Sequence, residues 1–228
     1  MSLSFAILRF ALIIPAIVLH EVAHGYVAYR LGDTTAKDAG RLTLNPLKHI
    51  DVFGTLILPA ILIAVSGVGF GYAKPVPINP YRFRDYRKGL FLTGIAGPTT
   101  NLALAAISGL LFRLFTPDQL LSVFAANLVP ADMTATTTIA LVLWMFASVN
   151  LVLLFFNLIP IPPLDGSRVI PLFLSDAGMR AYHKVEQYGF VILLGLLWVV
   201  PTFLGVDPIS VYFRYTVVPM QLLLTGLA

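Results

Sequence analysis

The sequence predicts an all-α polytopic membrane bundle of four to six transmembrane helices, with one re-entrant or half-crossing segment and a short extended, β-like stretch. Three observations carry this. Of 228 residues, 58% are hydrophobic and 11% charged, with a mean hydropathy of +0.87. Soluble domains run near a quarter charged, so a water-soluble globule of this size would lack the polar side chains to cover itself. The apolar residues also fall into separate runs, four of which reach the ~20 residues needed to cross a bilayer. Disorder, collagen and coiled coil fail on the same composition. One integral-membrane domain is expected over 1–228, with a core at about 5–166 and C-terminal helices at 167–228.

The four runs are Phe5–Tyr29, Gly89–Phe112, Thr137–Ile159 and Val185–Leu204. The first begins like a signal peptide, but no small-x-small cleavage site follows Leu19, and a retained helix is expected. Val52–Tyr72 is apolar but broken by Pro59, Gly67, Gly69 and Gly71, and Ile209–Leu227 carries Arg214 and Pro219. Either crosses or stays at one face.

Charge chooses between these topologies. Segment 30–51 holds four Lys/Arg, 73–88 five, 113–136 one and 161–184 three. If 52–72 dips in and returns, twelve positive charges share the cytoplasmic face and the poor segment, with Asp118 and Asp132, lies outside. A full crossing would split the two richest segments between faces, against the positive-inside bias. A re-entrant segment and an outside N-terminus follow. Broken backbone at membrane depth is tolerated against protein or a water-filled cavity. The basic residues form no aromatic-interleaved stripe, so no nucleic-acid partner is expected. Asp85 with Arg82, Arg84, Arg87 and Lys88 reads as a solvated cluster that touches anionic lipid.

The chemistry starts in the first helix, at His20-Glu21-Val22-Ala23-His24. Residues four apart share a helix face, so two imidazoles can point at one ion. Glu21 is turned about 100° from His20 and can reach a water on that ion without being a ligand, as a general base must. The bland alternative is a pair of interfacial histidines. Against it, each ionised group at this depth costs about 2.5–3.5 kcal/mol or more. There is no cysteine, so a third ligand must be acidic or another His. Asp165 is the best placed, after a helix broken by Pro160, Pro162 and Pro163. Asp-Gly is also an ordinary turn or cap, and spacing alone does not choose between turn and ligand. In the re-entrant topology two full crossings separate His24 from Asp165, which brings them to the same side.

HEVAH, then GIAGPTTN (Gly94 to Asn101), then NLIPIPPLDG (Asn157 to Gly166) resemble, in kind and order, the motifs of the site-2 protease family of intramembrane zinc metalloproteases. The motifs span residues 20–166. The chain lacks the family's PDZ insertion and CBS pair and is similar to its short prokaryotic members. The resemblance implies one Zn2+ per chain held by His20, His24 and Asp165, Glu21 as the catalytic base acting on zinc-bound water, and Asn157 at the active site. It also implies that Gly97-Pro98 and Asn101 form a helix-packing element beside that site. The implied activity is hydrolysis of peptide bonds in membrane-spanning protein substrates, in a prokaryotic plasma membrane; the charge count, not the resemblance, puts the expected site nearer the cytoplasmic face.

A helical substrate must unwind to be cut. Pro75, Pro77 and Pro80 force extended backbone over 73–80, which reads either as an edge that holds an unwound substrate through Val76 and Ile78 or as a rigid surface loop. Asn101 joins these two as a candidate substrate contact. His49 and Asp51 read as interfacial and capping groups, His183 and Glu186 as interfacial. A competing reading of the whole chain is a small transporter or ion channel lined by His, Glu and Asp; a proteolytically dead scaffold would have no need of Glu21.

Overall fold

A computed structural model describes residues 3–51, 54, 57, 74–125 and 134–227. The first apolar run forms helix α1 (Leu3–Arg30). The next elements are a single turn α2 (Thr35–Asp38), then α3 (Tyr86–Phe115), α4 (Asp118–Ala125) and α5 (Ala135–Asn157). Helices α6 (Asp176–Glu186), α7 (Gly189–Leu204) and α8 (Pro208–Thr225) complete the bundle. Helix starts carry the expected caps: Asp85 accepts from the Lys88 amide, Ser175 from Gly178 and Asp207 from Ser210.

Helices α1, α3 and α5 are long and apolar enough to cross a membrane. The fourth expected run differs from a single straight span. Helices α6 and α7 are bent by 60° at a short break and reach span length only together. The backbone of Gly189 lies against Pro162, where any Cβ would overlap the proline, so α7 starts where it leaves the Pro-rich turn. The expected re-entrant segment 52–72 lies outside the described residues apart from Gly54 and Ile57. Residues 74–79 are irregular rather than strand, and no strand occurs among the described residues.

Helix α3 is the centre. Its buried face runs Gly89, Thr93, Gly97, Asn101, Ala105, Gly109, a spacing of four. Bilayer lipid is as apolar as leucine, so helices gain by close backbone approach, and small residues allow it. At Gly109 a Cβ would lie 2.9 Å from the Leu224 carbonyl of α8. Two apolar clusters join the helices: Phe112, Phe124, Ala140, Leu141 and Met145 in one, Ala105, Leu151, Leu154 and Val217 in the other.

The break after α5 delivers Asp165 to the core. Prolines 160, 162 and 163 cannot continue the helix. The chain folds back so tightly that a Cβ on Gly166 would overlap the Leu158 carbonyl. A 3-10 segment, Asp165–Leu172, follows. It packs on α3 at Gly94, where a Cβ would lie 2.7 Å from Arg168 Cβ and 3.0 Å from the Asp165 carbonyl.

Candidate metal centre and active site

Four residues apart on α1, the two imidazoles stack edge to face with centroids 4.6 Å apart. Their Nε2 atoms are 2.9 Å apart, and each is 3.0 Å from Asp165 Oδ2. All three side chains are buried. Among the described residues this is the one group of three His or acidic side chains close enough to hold an ion.

What lies behind the rings decides what faces inward. His24 Nδ1 is 2.6 Å from the Thr93 carbonyl, which only accepts, so Nδ1 carries the proton and Nε2 a lone pair. His20 Nδ1 is 2.5 Å from Asn101 Oδ1, which asks for the same tautomer. With both rings neutral, two nitrogen lone pairs and one carboxylate oxygen face one another at about 3 Å. That donor set fits a cation. Ligands tetrahedral about zinc at roughly 2.0–2.1 Å would stand about 3.3 Å apart, close to the observed spacing. Gly97 leaves the room: a Cβ there would overlap both Nε2 atoms. The remaining carboxylate oxygen, Asp165 Oδ1, lies 3.5 Å from Arg168 Nη1.

Glu21 lines a cavity of about 520 Å³ together with His20, His24, Asn157 and Asp165. Its Oε2 accepts the Val76 amide at 2.8 Å. Segment 74–79 is thereby strapped along α1. Arg41 donates to the Lys74 carbonyl at 2.7 Å, and the Asn79 amide donates to Asp33 Oδ2 at 2.6 Å. Asp33 is fully buried, and Thr35 donates to its Oδ1 at 3.0 Å through the amide. Burial raises the Asp33 carboxyl, but the hydrogen bonds from Thr35 and Asn79 and the charge of Arg82 outweigh it and hold the group below the usual carboxylate range.

The sequence-derived candidates separate into two groups. His20, His24, Asp165, Glu21 and Asn157 converge on one cavity, and Val76 and Ile78 line it as well. Asn157 is half-buried there, with its Nδ2 donating to the Leu153 carbonyl at 3.0 Å. Asn101 stands apart from them. It has no exposed surface and lies behind His20, its amide spent on His20 and, at 2.8 Å, on Asn150. His49 is buried against the Thr43 carbonyl, Asp51 caps Gly54, and His183 pairs with Glu186 at the surface. Sequence reasoning missed Asn150 and Asp33. An Asn in the middle of a 23-residue apolar helix, seven residues before the Asn157 that ends it, was a usable signal; Asp33, partnered 46 residues away, left none.

Peptidase family M50 matches residues 8–200. A Bacillus subtilis (strain 168) protein provisionally named zinc metalloprotease YwhC is 44% identical over 192 residues, which is 83% of this chain and 78% of its own length. The Mycolicibacterium smegmatis protein provisionally named zinc metalloprotease Rip2 is 32% identical over 80% of this chain, which spans 63% of its length. MJ0611 of Methanocaldococcus jannaschii, named likewise, is 29% identical over 73% of each chain. No solved structure matches significantly. The transporter reading is not favoured by these relatives. The chain belongs to peptidase family M50, the site-2 protease family, and is a membrane metalloendopeptidase.

Proposed function

We propose that this enzyme hydrolyses peptide bonds of protein substrates that span the membrane, holding one zinc ion per chain on His20, His24 and Asp165 with Glu21 as general base. The observation that supports this reading is the convergence of His20 Nε2, His24 Nε2 and Asp165 Oδ2 to within 3.0 Å of one another, beside a carboxylate that opens into the same cavity. Zinc in such a set polarises a carbonyl and makes water more acidic. Glu21 takes a proton from the attacking water and returns it to the leaving nitrogen as the C–N bond breaks. For this, the carboxylate exchanges the Val76 amide for water.

Asn157 is the candidate partner for the carbonyl oxygen as it gains charge, once its amide leaves the Leu153 carbonyl. Ile17, Leu153, Phe156, Phe190 and Leu193 give the cavity apolar walls, suited to an apolar stretch of chain. Val76 and Ile78 lie along it and are placed to hold an unwound substrate. Pro75 and Pro77 have no N–H, so over 75–77 the only amide is that of Val76, which now rests on Glu21. The Lys/Arg count supports a site toward the cytoplasmic face, and the family resemblance supports a prokaryotic plasma membrane.

The test is Glu21→Gln. Zinc stays bound, cleavage falls by at least about 100-fold, and single-span substrates accumulate in membranes of cells carrying the variant. Cleavage at the wild-type rate would remove the base assignment; loss of zinc along with cleavage would make Glu21 a ligand instead.

A further inference from the structure

We propose that Asn150, acting through Asn101, is a positioning residue that sets the ring tautomer of His20; this rests on the metal reading above. Asn150 sits in the middle of α5 with no exposed surface. Its Nδ2 donates at 2.9 Å to the Phe146 carbonyl, one helical turn back. A backbone carbonyl only accepts, so this bond fixes which way the amide faces. The Asn150 oxygen must then turn toward Asn101, and it receives Asn101 Nδ2 at 2.8 Å. That in turn directs the Asn101 oxygen to His20 Nδ1. The direction of every bond in the series is dictated by one main-chain oxygen that cannot flip.

The consequence is chemical. A neutral imidazole carries one proton, and a proton held on Nδ1 leaves the Nε2 lone pair for the ion. His24 obtains the same result in one step from the Thr93 carbonyl. For His20 a single unsupported asparagine would not suffice, because an amide can rotate to present either its oxygen or its NH2. With its NH2 toward Nδ1, the proton would move to Nε2 and the ligand would be lost. Asn150 removes that freedom. Burying two neutral amides between apolar helices is costly unless their donors and acceptors are met, and this series meets them while it orients the ring.

The competing account is that the pair only clamps α3 to α5. Zinc affinity of the full chain in detergent, read by competition with a chromophoric chelator, separates the two, with thermal unfolding of the metal-free protein as the folding check. Asn150→Leu and Asn101→Leu should each weaken zinc binding roughly 10–100-fold, and the double variant should lose no more than one of them alone. Asn150→Asp keeps an acceptor facing Asn101 in either protonation state and should bind like wild type. If Asn150→Leu does not fold, Asn150→Ala takes its place with the same expectation. Wild-type affinity in the Leu or Ala variant, additive losses in the double variant, or a loss in Asn150→Asp equal to that in Asn150→Leu would each overturn the proposal. Failure of the wild-type chain to bind zinc would instead sink the metal reading and leave nothing for Asn150 to position.

Discussion

The two sides of one helical pentad are held in opposite ways. On the α3-facing side of α1, His20 and His24 are buried and hydrogen-bonded to groups deep in the bundle. Glu21, between them in sequence, rests on a single amide from an irregular segment that is itself tied down by Arg41 and Asp33. The difference follows the chemistry. A ligand is useful in proportion to how little it moves, whereas a base must take up and release a proton and so must change partners. Rigidity therefore belongs to the bundle, and exchange to the strap.

The largest expected effect breaks the rigid side. Gly97→Ala would put a methyl group into both imidazole Nε2 atoms. Interdigitated helices give little, and the metal position is the nearest free volume. Zinc affinity should fall at least about 100-fold, beyond what loss of one outer hydrogen bond costs, and cleavage should become undetectable. The metal-free protein should keep its helical circular dichroism. Undiminished zinc binding in this variant would show that the ion sits elsewhere.

How far this division was legible in the sequence depends on the reach of each interaction. His20 and His24 are related by the helix itself, so their spacing is enough. Asp165 was visible as an ion-competent acid at a Pro-broken helix end, but its meeting with α1 depends on the fold-back at Gly166 and the close approach at Gly94, neither of which is local. Asn101 was recognisable as belonging near the site. Which way it faced was not, because the motif marks a packing face on α3 but not the register of that face against α1. Without that register the residue reads as a substrate contact rather than a support for His20. The fourth run read as one span from Val185; the contact between Gly189 and Pro162, which shapes its start, joins residues distant along the chain and has no local signature.

A smaller effect is expected on the strap. Val76→Pro deletes the one amide that Glu21 accepts while keeping extended backbone, which the neighbouring prolines already impose. The carboxylate would lose a fixed resting place but would remain in the cavity beside the ligands. Cleavage should drop about 10-fold, less than the loss of the general base itself would cost, with zinc affinity unchanged. A parallel fall in zinc affinity would mean that the two sides of the pentad are one mechanical unit, against the division drawn here.

The smallest effect tests how the strap is anchored. Asp33 accepts from Asn79 and Thr35 while fully buried. The substitution Asp33→Asn would turn an NH2 toward one of those donors, and a buried unmet donor costs about 1–3 kcal/mol. The carboxyl is held below its ordinary value. Its contribution is therefore complete above the unfolded pKa of about 3.9 and is lost as pH falls through the lower folded value. Wild type and Asp33→Asn should thus differ most in melting temperature near neutrality, and the gap should close as pH drops below about 4. Zinc affinity at neutral pH should be the same in both, because Asp33 touches the strap and not the ligands. A gap that widened in acid would mean that the carboxyl is raised in the folded protein and that the strap is held by Arg82 and packing instead.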